Sequence, residues 1–336
     1  MAILSNDKDL VRDFVRINFI NQLSSFPDWD AAEDRYLVPV MGFDLHNQVK
    51  ALAEVEPGGP LTDDEKRNAE LLRLCRTVVA PLAYMLEMPL IQAQLTDAGL
   101  RTISSDNMQA AHRWEYNNVL QQLADKGSYG IEALLRFLIH NKEHYPAWTE
   151  STQYREFENL LFATGEEFNK YFRLHQPHRV FWQLRPLIRE AEDFYVAAAI
   201  GNEFYQVLKG KVDPSKEERT ALDFCRKAVS QITMAMAVEK RSVAITEEGF
   251  TLLMGAGNAD SSNAGDTPAL SAGLSMLHDS CSKSGDAYLL KLQDYLNSMA
   301  SDAMFAEYFT SSYYEAPANP TCPEPSKNAH RKIFGL

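Results

Sequence analysis

The string AEDRYLVPVMG at residues 32–42 returns as AEDFYVAAAIG at 191–201. No other feature constrains the fold as strongly. With Ala32 placed on Ala191, an offset of 159, Glu33 falls on Glu192, Asp34 on Asp193, Tyr36 on Tyr195 and Gly42 on Gly201. The same offset carries Leu45 to Phe204, Val49 to Leu208 and Lys50 to Lys209. LCRTVV (74–79) then matches FCRKAV (224–229), and LTDAGL (95–100) matches ITEEGF (245–250), both at an offset of 150. The change of offset falls in AEVEPGGPLTDDE, a Pro/Gly-rich stretch of the kind that tolerates insertions. Further on, Ile131, Leu134 and Leu138 meet Leu289, Leu292 and Leu296, and Tyr145 and Trp148 meet Phe305 and Tyr308. Amphipathic helices resemble one another by composition. Five blocks in one order, with gaps only at loop-like places, argue instead for an internal duplication. Its period, about 155 residues, lies far above the 20–50 of solenoid repeats, so the expectation is two related domains.

Each copy reads as helical. Thr62-x-x-Glu65 is a capping box opening a helix from about Asp63 to Leu86, with Leu71, Leu74, Cys75, Val78, Leu82 and Leu86 on one stripe. In the second copy Ser215-x-x-Glu218 caps a helix whose stripe is Ala221, Phe224, Cys225, Ala228, Ile232 and Met236. After each core helix, QAQL-TDAG-LRTI (92–103) and SVAI-TEEG-FTLL (242–253) read as β-hairpins with a turn ending in Gly, which supplies a left-handed residue without strain. Ser128 reads as the cap of a further helix carrying Ile131, Leu134, Leu135, Leu138 and Ile139, and Thr164-x-x-Glu167 as another cap. The expected fold is mainly α, with two duplicated helical-bundle domains, each with a small β-hairpin, and an extended C-terminal tail. The expected divisions are 1–151, 152–312 with a long Gly/Ser/Asn loop at 254–273, and a tail at 313–336. That tail is Pro-rich and aperiodic, too poor in apolar periodicity to fold alone. Its end, Arg331, Lys332, Ile333 and Phe334, reads as a peptide that docks on a neighbouring subunit.

Composition excludes some functions. The chain has 336 residues, 45% hydrophobic and 24% charged, so a substantial core is available. Its formal net charge of −13 argues against nucleic-acid binding by bulk charge, which requires a basic face to neutralise phosphates. No apolar run approaches the ~18 residues of a membrane span, and the N-terminal MAILSNDKDL is too short in apolar residues for a signal peptide. Cys75, Cys225, Cys281 and Cys322 are widely spaced, as expected of reduced thiols.

The strongest catalytic candidate is HNKEH, residues 140–144, in the H-x-x-E-H order of inverted zinc peptidases. On a helix, His140 and His144 could share a zinc ion while Glu143 serves as general base, making a zinc-dependent hydrolase the alternative function. A third ligand is not evident, and the second copy has Ser298 and Asp302 at the equivalent positions. Histidines at a helix C-terminus, where they favour the dipole, are the simpler reading. GAG at 255–257 lacks the remainder of any phosphate-binding fingerprint. Glu33 and Asp34, like Glu192 and Asp193, point about 100° apart on a helix and so do not converge on one ligand. They read as a solvated or subunit-facing surface. Trp29, Trp114, Trp148 and Trp182 read as core anchors. No catalytic, metal or cofactor-binding residue is assigned, and no cofactor is expected.

DWDAAEDRYLVPVMGFDLHNQV, the long helix after it, LTDAGLRTIS, LLRFLIHNKEHYPAWTES and FATGEEFNKYF together resemble uncharacterised proteins of Bacteroidetes phages and prophages, which sit among virion structural genes. The acidic-aromatic helix, Gly and short helix also resemble the head–tail connector (adaptor) proteins of tailed phages. The resemblance implies a non-enzymatic virion subunit, made in the bacterial host cytoplasm and placed at the virion neck. Its copies would form a homo-oligomeric ring below the portal protein, offering a surface to the tail or stopper protein. Genomic DNA would pass through the lumen without sequence-specific binding, and no membrane would be involved. Other virion roles, portal-associated, minor capsid or tail-completion, fit the same resemblance.

Overall fold

A computed structural model describes residues 2–15, 27–55, 61–91, 93–96, 99–102, 112–240, 243–246, 249–252 and 268–316. In chain order the elements are α1 (Lys8–Val15), α2 (Trp29–Tyr36), α3 (Val38–Met41), α4 (Phe43–Ala53), α5 (Asp63–Ile91), the hairpin β1 (Ala93–Thr96) and β2 (Gly99–Thr102), α6 (Arg113–His140), α7 (Pro146–Thr149), α8 (Thr152–Arg155), α9 (Gly165–Asn169) and α10 (Pro177–Ala191). A π-helical turn, Glu192–Val196, leads into α11 (Ala197–Ile200), α12 (Asn202–Lys209), α13 (Lys216–Glu239), the hairpin β3 (Val243–Thr246) and β4 (Gly249–Leu252), α14 (Pro268–Met299) and α15 (Ala306–Phe309). The protein is mainly α, and one architectural unit occurs twice. In each copy the AED helix runs into a one-turn helix, then a glycine with positive φ, a short helix, a long helix, a two-stranded hairpin, a second long helix and a final one-turn helix. The chain divides into two compact units, 1–185 with 244–252 and 186–243 with 253–336.

The long helices are specified locally. Thr62 and Glu65 form the expected capping box, with Thr62 N–H donating to Glu65 Oε2 at 2.7 Å and Glu65 N–H to Thr62 Oγ1 at 3.3 Å. Ser215 and Glu218 do the same for α13, at 2.8 and 3.2 Å. Leu71, Leu74, Cys75, Val78 and Leu82 are buried, as are Ala221, Cys225, Ala228, Ile232 and Met236. Leu86 and Phe224 are half-buried. β1 pairs antiparallel with β2, Thr96 opposite Gly99 and Ala93 opposite Thr102.

Ser128 caps nothing. It lies inside α6, which begins fifteen residues earlier behind a box formed by His112 and Glu115. The glycines around it, which look like a helix stop, serve packing. A Cβ on Gly127 would collide with Leu82, and one on Gly130 would stand 3.1 Å from the Thr77 carbonyl. In the second unit Gly285 of α14 occupies the equivalent place, where a Cβ would stand 2.5 Å from Ile232, the counterpart of Leu82. In both copies a glycine lets the two antiparallel long helices approach closely, offsetting its poor helix propensity.

The boundary between units also departs from the expected 151/152. Residues 152–185 belong with unit one because Trp182 stacks on Trp148 with ring centroids 5.9 Å apart, Trp182 Nε1–H reaches the Pro39 carbonyl, and Arg185 donates to the Gln153 carbonyl at 2.9 Å. The division falls within α10, between Arg185 and Pro186. Pro186 has no N–H for the Trp182 carbonyl, and Arg185 Nε–H occupies that acceptor at 3.0 Å, so the helix continues through the proline. The expected loop at 254–273 is shorter at its C-terminal end, since α14 begins at Pro268, a residue tolerated in a first helical turn. The start of the expected tail is part of the fold: Tyr313 lies against Gly201 and accepts from the Tyr308 hydroxyl, and Tyr314 packs on Tyr308 and Phe309. Residues 317–336, with Arg331, Lys332, Ile333 and Phe334, lie outside the described residues. Trp29 and Trp148 are core residues and Trp182 is half-buried, but Trp114 is exposed.

Candidate functional site

The AED helices carry the most unusual chemistry in each unit. Adjacent carboxylates diverge, as helical geometry requires, but they do not form a solvated face: Glu33 is 0% exposed and Glu192 2%, while Asp34 and Asp193 are exposed. A buried carboxylate persists only when its charge and lone pairs are satisfied. Glu33 Oε1 accepts the Ile3 backbone N–H at 2.6 Å, and Oε2 faces His46 Nε2 at 3.0 Å and Lys50 Nζ at 3.4 Å. Glu192 Oε2 accepts the Tyr205 hydroxyl at 2.9 Å and the Lys209 ammonium. The partners are equivalent: His46 corresponds to Tyr205 and Lys50 to Lys209, all at the offset of 159.

The intervening glycines make this geometry possible. Gly42 (φ 78°) and Gly201 (φ 89°) each end one short helix and start the next, reversing the chain so that the following helix returns its Lys to the Glu. Each is also sealed from outside. A Cβ on Gly42 would stand 2.7 Å from Ser151 Cβ, and one on Gly201 3.0 Å from the Tyr313 ring. Electrostatics follow from burial. Hydrogen bonding to Asp30 at 2.8 Å, with Glu33 nearby, raises the Lys50 ammonium above its ordinary value. Burial, with Glu192 adjacent, pushes the Tyr205 phenol up. Burial pushes the Cys225 thiol up to about 12 and raises Cys75 likewise, so neither is a thiolate nucleophile. Both carboxylates are engaged by the chain's own donors. These contacts tie the helix–glycine–helix joint together in each unit.

The sequence reading missed this joint by placing both acids of each copy on a solvated or subunit-facing surface. The signal was nonetheless present, because Glu and Lys recur seventeen residues apart in both copies, Glu33 with Lys50 and Glu192 with Lys209.

A second buried ionic cluster closes unit one. Glu132 of α6 reaches the start of α10, accepting the backbone N–H groups of His178 and Arg179 at 3.3 and 2.7 Å and facing His178 Nδ1 at 2.7 Å. It caps a helix from a distant element. Burial alone would raise its pKa, but these hydrogen bonds outweigh burial and hold the carboxyl below the usual glutamate value.

HNKEH does not occupy one helical face. α6 ends at His140, Asn141 leaves helical geometry at φ −112°, ψ 22°, and Lys142–His144 form a separate 3₁₀ turn. His140 Nδ1 faces the Arg136 carbonyl at 3.0 Å, and His140, Glu143 and His144 are all exposed. Among the described residues no three His, Cys, Asp or Glu side chains are grouped as metal ligands. His140 instead borders a cleft of about 330 Å³ between α5 and α6, with Glu70, Arg73 and Leu74 on one wall and Arg136 and Phe137 on the other. Among the described residues no helix is long and apolar enough to cross a membrane.

Fold and joint together define a tandem helical-bundle protein made by duplication of one unit, each copy locked by a buried glutamate. The chain belongs to the family of unknown function DUF6712, whose pattern it matches twice, over residues 37–158 and 192–318. No curated protein and no solved structure matches it.

Proposed function

We propose that the chain is a structural assembly subunit of a tailed-phage virion, a neck or head–tail connector whose copies form a ring below the portal protein around the DNA channel. One observation carries the reading: the two units share a set of interior anchor residues while several exposed positions diverge. Glu33/Glu192, Lys50/Lys209, Gly42/Gly201, Cys75/Cys225 and Gly127/Gly285 recur inside, while exposed Arg35 becomes Phe194, exposed Phe43 becomes Asn202 and exposed Arg136 becomes Asp294. A duplicated scaffold with two distinct outer surfaces suits a subunit that meets different neighbours on different sides, as heterologous ring contacts require. Exposed aromatic residues such as Phe194, 72% accessible, suit the anchoring positions of protein interfaces.

In this reading one end of the ring meets the portal and the other the tail or stopper protein, and the net charge of −13 leaves the passing genome unattracted. Electron cryomicroscopy of the purified particle tests the position. Density for this fold in a ring beneath the portal is expected, and its location in the shell, in the tail tip or nowhere in the particle rejects a neck role. Removing residues 317–336, with Arg331, Lys332, Ile333 and Phe334, is expected to weaken ring assembly while leaving subunits folded. Unchanged assembly of the truncated chain rejects tail docking.

A further inference from the structure

The chain that follows the repeated domain covers one face of unit one, and the equivalent face of unit two is exposed. In unit one, Glu132 of α6 accepts the His178 and Arg179 backbone N–H groups, Trp182 Nε1–H reaches the Pro39 carbonyl, and the Tyr129 hydroxyl lies 3.2 Å from His175 Nε2. The start of α10 therefore lies across α6 and α3. The positions equivalent to Tyr129, Glu132 and Pro39 are Ala287, Leu290 and Ala198, all exposed, Leu290 at 61%. A carboxylate that caps a helix in unit one is thus replaced in unit two by an apolar residue in solvent. Gln293 Nε2–H donates to the Ala199 carbonyl at 2.8 Å, so α14 and α11 stand side by side here. Phe194 and Tyr195, one turn before Ala198 on the same side, are also exposed. Asp286 and Asp294 stand one turn to either side of Leu290 with no ion pair among the described residues, and Asp193 precedes Phe194. α14 also exposes Asp279, Lys283 and Lys291, which leaves the face net acidic.

We infer that this face receives the tail of a second copy, with Ile333 and Phe334 on Leu290 and Ala198 and with Arg331 and Lys332 beside Asp286 and Asp294. The assignment rests on the reading of the tail as a docking peptide and names the surface that receives it. At the offset of 160 that relates Trp148 to Tyr308, residues 317–336 correspond to 157–176, the stretch that in unit one arrives at Tyr129 through His175. The charges are complementary, since Lys327, Arg331 and Lys332 outnumber Glu324 in the tail. Reach decides between the copy's own face and its neighbour's. Glu315 N–H donates to Asn297 Oδ1 at 3.0 Å, and Tyr313 lies against Gly201, so the tail departs from this side of unit two. Leu290 is only two helical turns, about 10 Å, from Asn297 along α14. In unit one the corresponding stretch is shortened by α9 (Gly165–Asn169). In the tail Pro317, Pro320, Pro323 and Pro325 disfavour a helix. Residues 317–331 then span about 45 Å at the ~3.1 Å per residue of proline-rich chain, well past the copy's own face. Tail and face are different surfaces, so the contact is heterologous and repeats from copy to copy.

The test uses the full chain. Phe334→benzoylphenylalanine, in an equal mixture of isotopically light and heavy chains, is irradiated, and the cross-linked peptides are identified by mass spectrometry. Cross-links to residues 194–198 or 287–294 are expected, with light-to-heavy pairs among them. Cross-links confined to other surfaces overturn the assignment of this face. Pairs confined to light-to-light and heavy-to-heavy overturn the second copy as the source of the tail. Sedimentation velocity across a concentration series measures the strength of the contact. Leu290→Glu and Arg331→Glu should each weaken association about tenfold, the first by placing a charge under the apolar anchor and the second by setting like charges against Asp286 and Asp294. Circular dichroism of Leu290→Glu should match the wild type, because the position is exposed. Wild-type association in either variant, or a wild-type chain that stays monomeric at every concentration, overturns the contact. Particle images that place the chain outside the neck reject only the neck reading, leaving this contact standing. Assembly lost on removing 317–336, together with cross-links elsewhere, keeps tail docking and overturns this face.

Discussion

Replacing Glu192 tests the buried joint in the unit where it is most dependent on one pair. Glu192→Ala removes the carboxylate that meets the Lys209 ammonium and the Tyr205 hydroxyl, whose side chains lie among buried residues of α12 and α13. Taking one partner from a buried pair costs about 3–5 kcal/mol, because the other charge stays desolvated. The Lys209 side chain is 15% exposed and can recover some hydration, so the lower end, about 3 kcal/mol, is expected. The equivalent change in unit one should cost less through its lysine, since Lys50 is 25% exposed and retains Asp30 at 2.8 Å. Its remaining cost comes from the Ile3 N–H and His46, which lose their acceptor. Two compact units need not unfold together, so a single global melt is an unsafe readout. Hydrogen exchange resolved to α11, α12 and α13 measures the local opening energy instead. A cycle with Lys209→Met and the double E192A/K209M variant isolates the pair, and the double variant should lose at least about 1 kcal/mol less than the sum of the singles. Additive losses, or an E192A variant whose exchange in these helices matches the wild type, would refute the claim that this ion pair locks the joint.

Gly285→Val forces a side chain toward Ile232 and should destabilise unit two by about 1–3 kcal/mol by overpacking, despite valine's better helix propensity; hydrogen exchange resolved to α13 and α14 checks it. Glu132 has a lowered pKa in the folded chain, so its contribution is present above the ordinary glutamate value and is lost as pH falls through the lowered one. Glu132→Gln should therefore reduce the stability of unit one near neutral pH and flatten the acid limb of its stability–pH curve, read at pH 3 to 7 from denaturant midpoints of tryptophan fluorescence, all four tryptophans lying in that unit. Cys75, Cys225 and Cys281 are buried with thiols raised by burial, so a thiol reagent at pH 8 should modify all three only after denaturant is added; rapid labelling of any of them in the native chain contradicts their placement.

The sequence by itself determined the duplication, the helical class, both capping boxes, the two hairpins and the buried stripes of α5 and α13. These depend on short-range rules: cap residues three apart, apolar residues every third or fourth place, and a glycine at a tight turn. The tertiary structure decided what those rules leave degenerate. Gly127 and Ser128 look the same in sequence whether they end a helix or admit a neighbour, and the approach of Leu82 makes α6 continuous. Glu33 and Asp34 are chemically alike and adjacent, and the return of α4 after Gly42, with Lys50, makes one a buried lock and leaves the other in water. His140 and His144 have ligand spacing along the chain, yet the helix stops between them. In the first two cases the deciding term is long-range, the packing or charge of a residue far away in sequence; at His140 it is local, with Asn141 Nδ2 donating back to the Phe137 carbonyl at 2.9 Å where the helix ends.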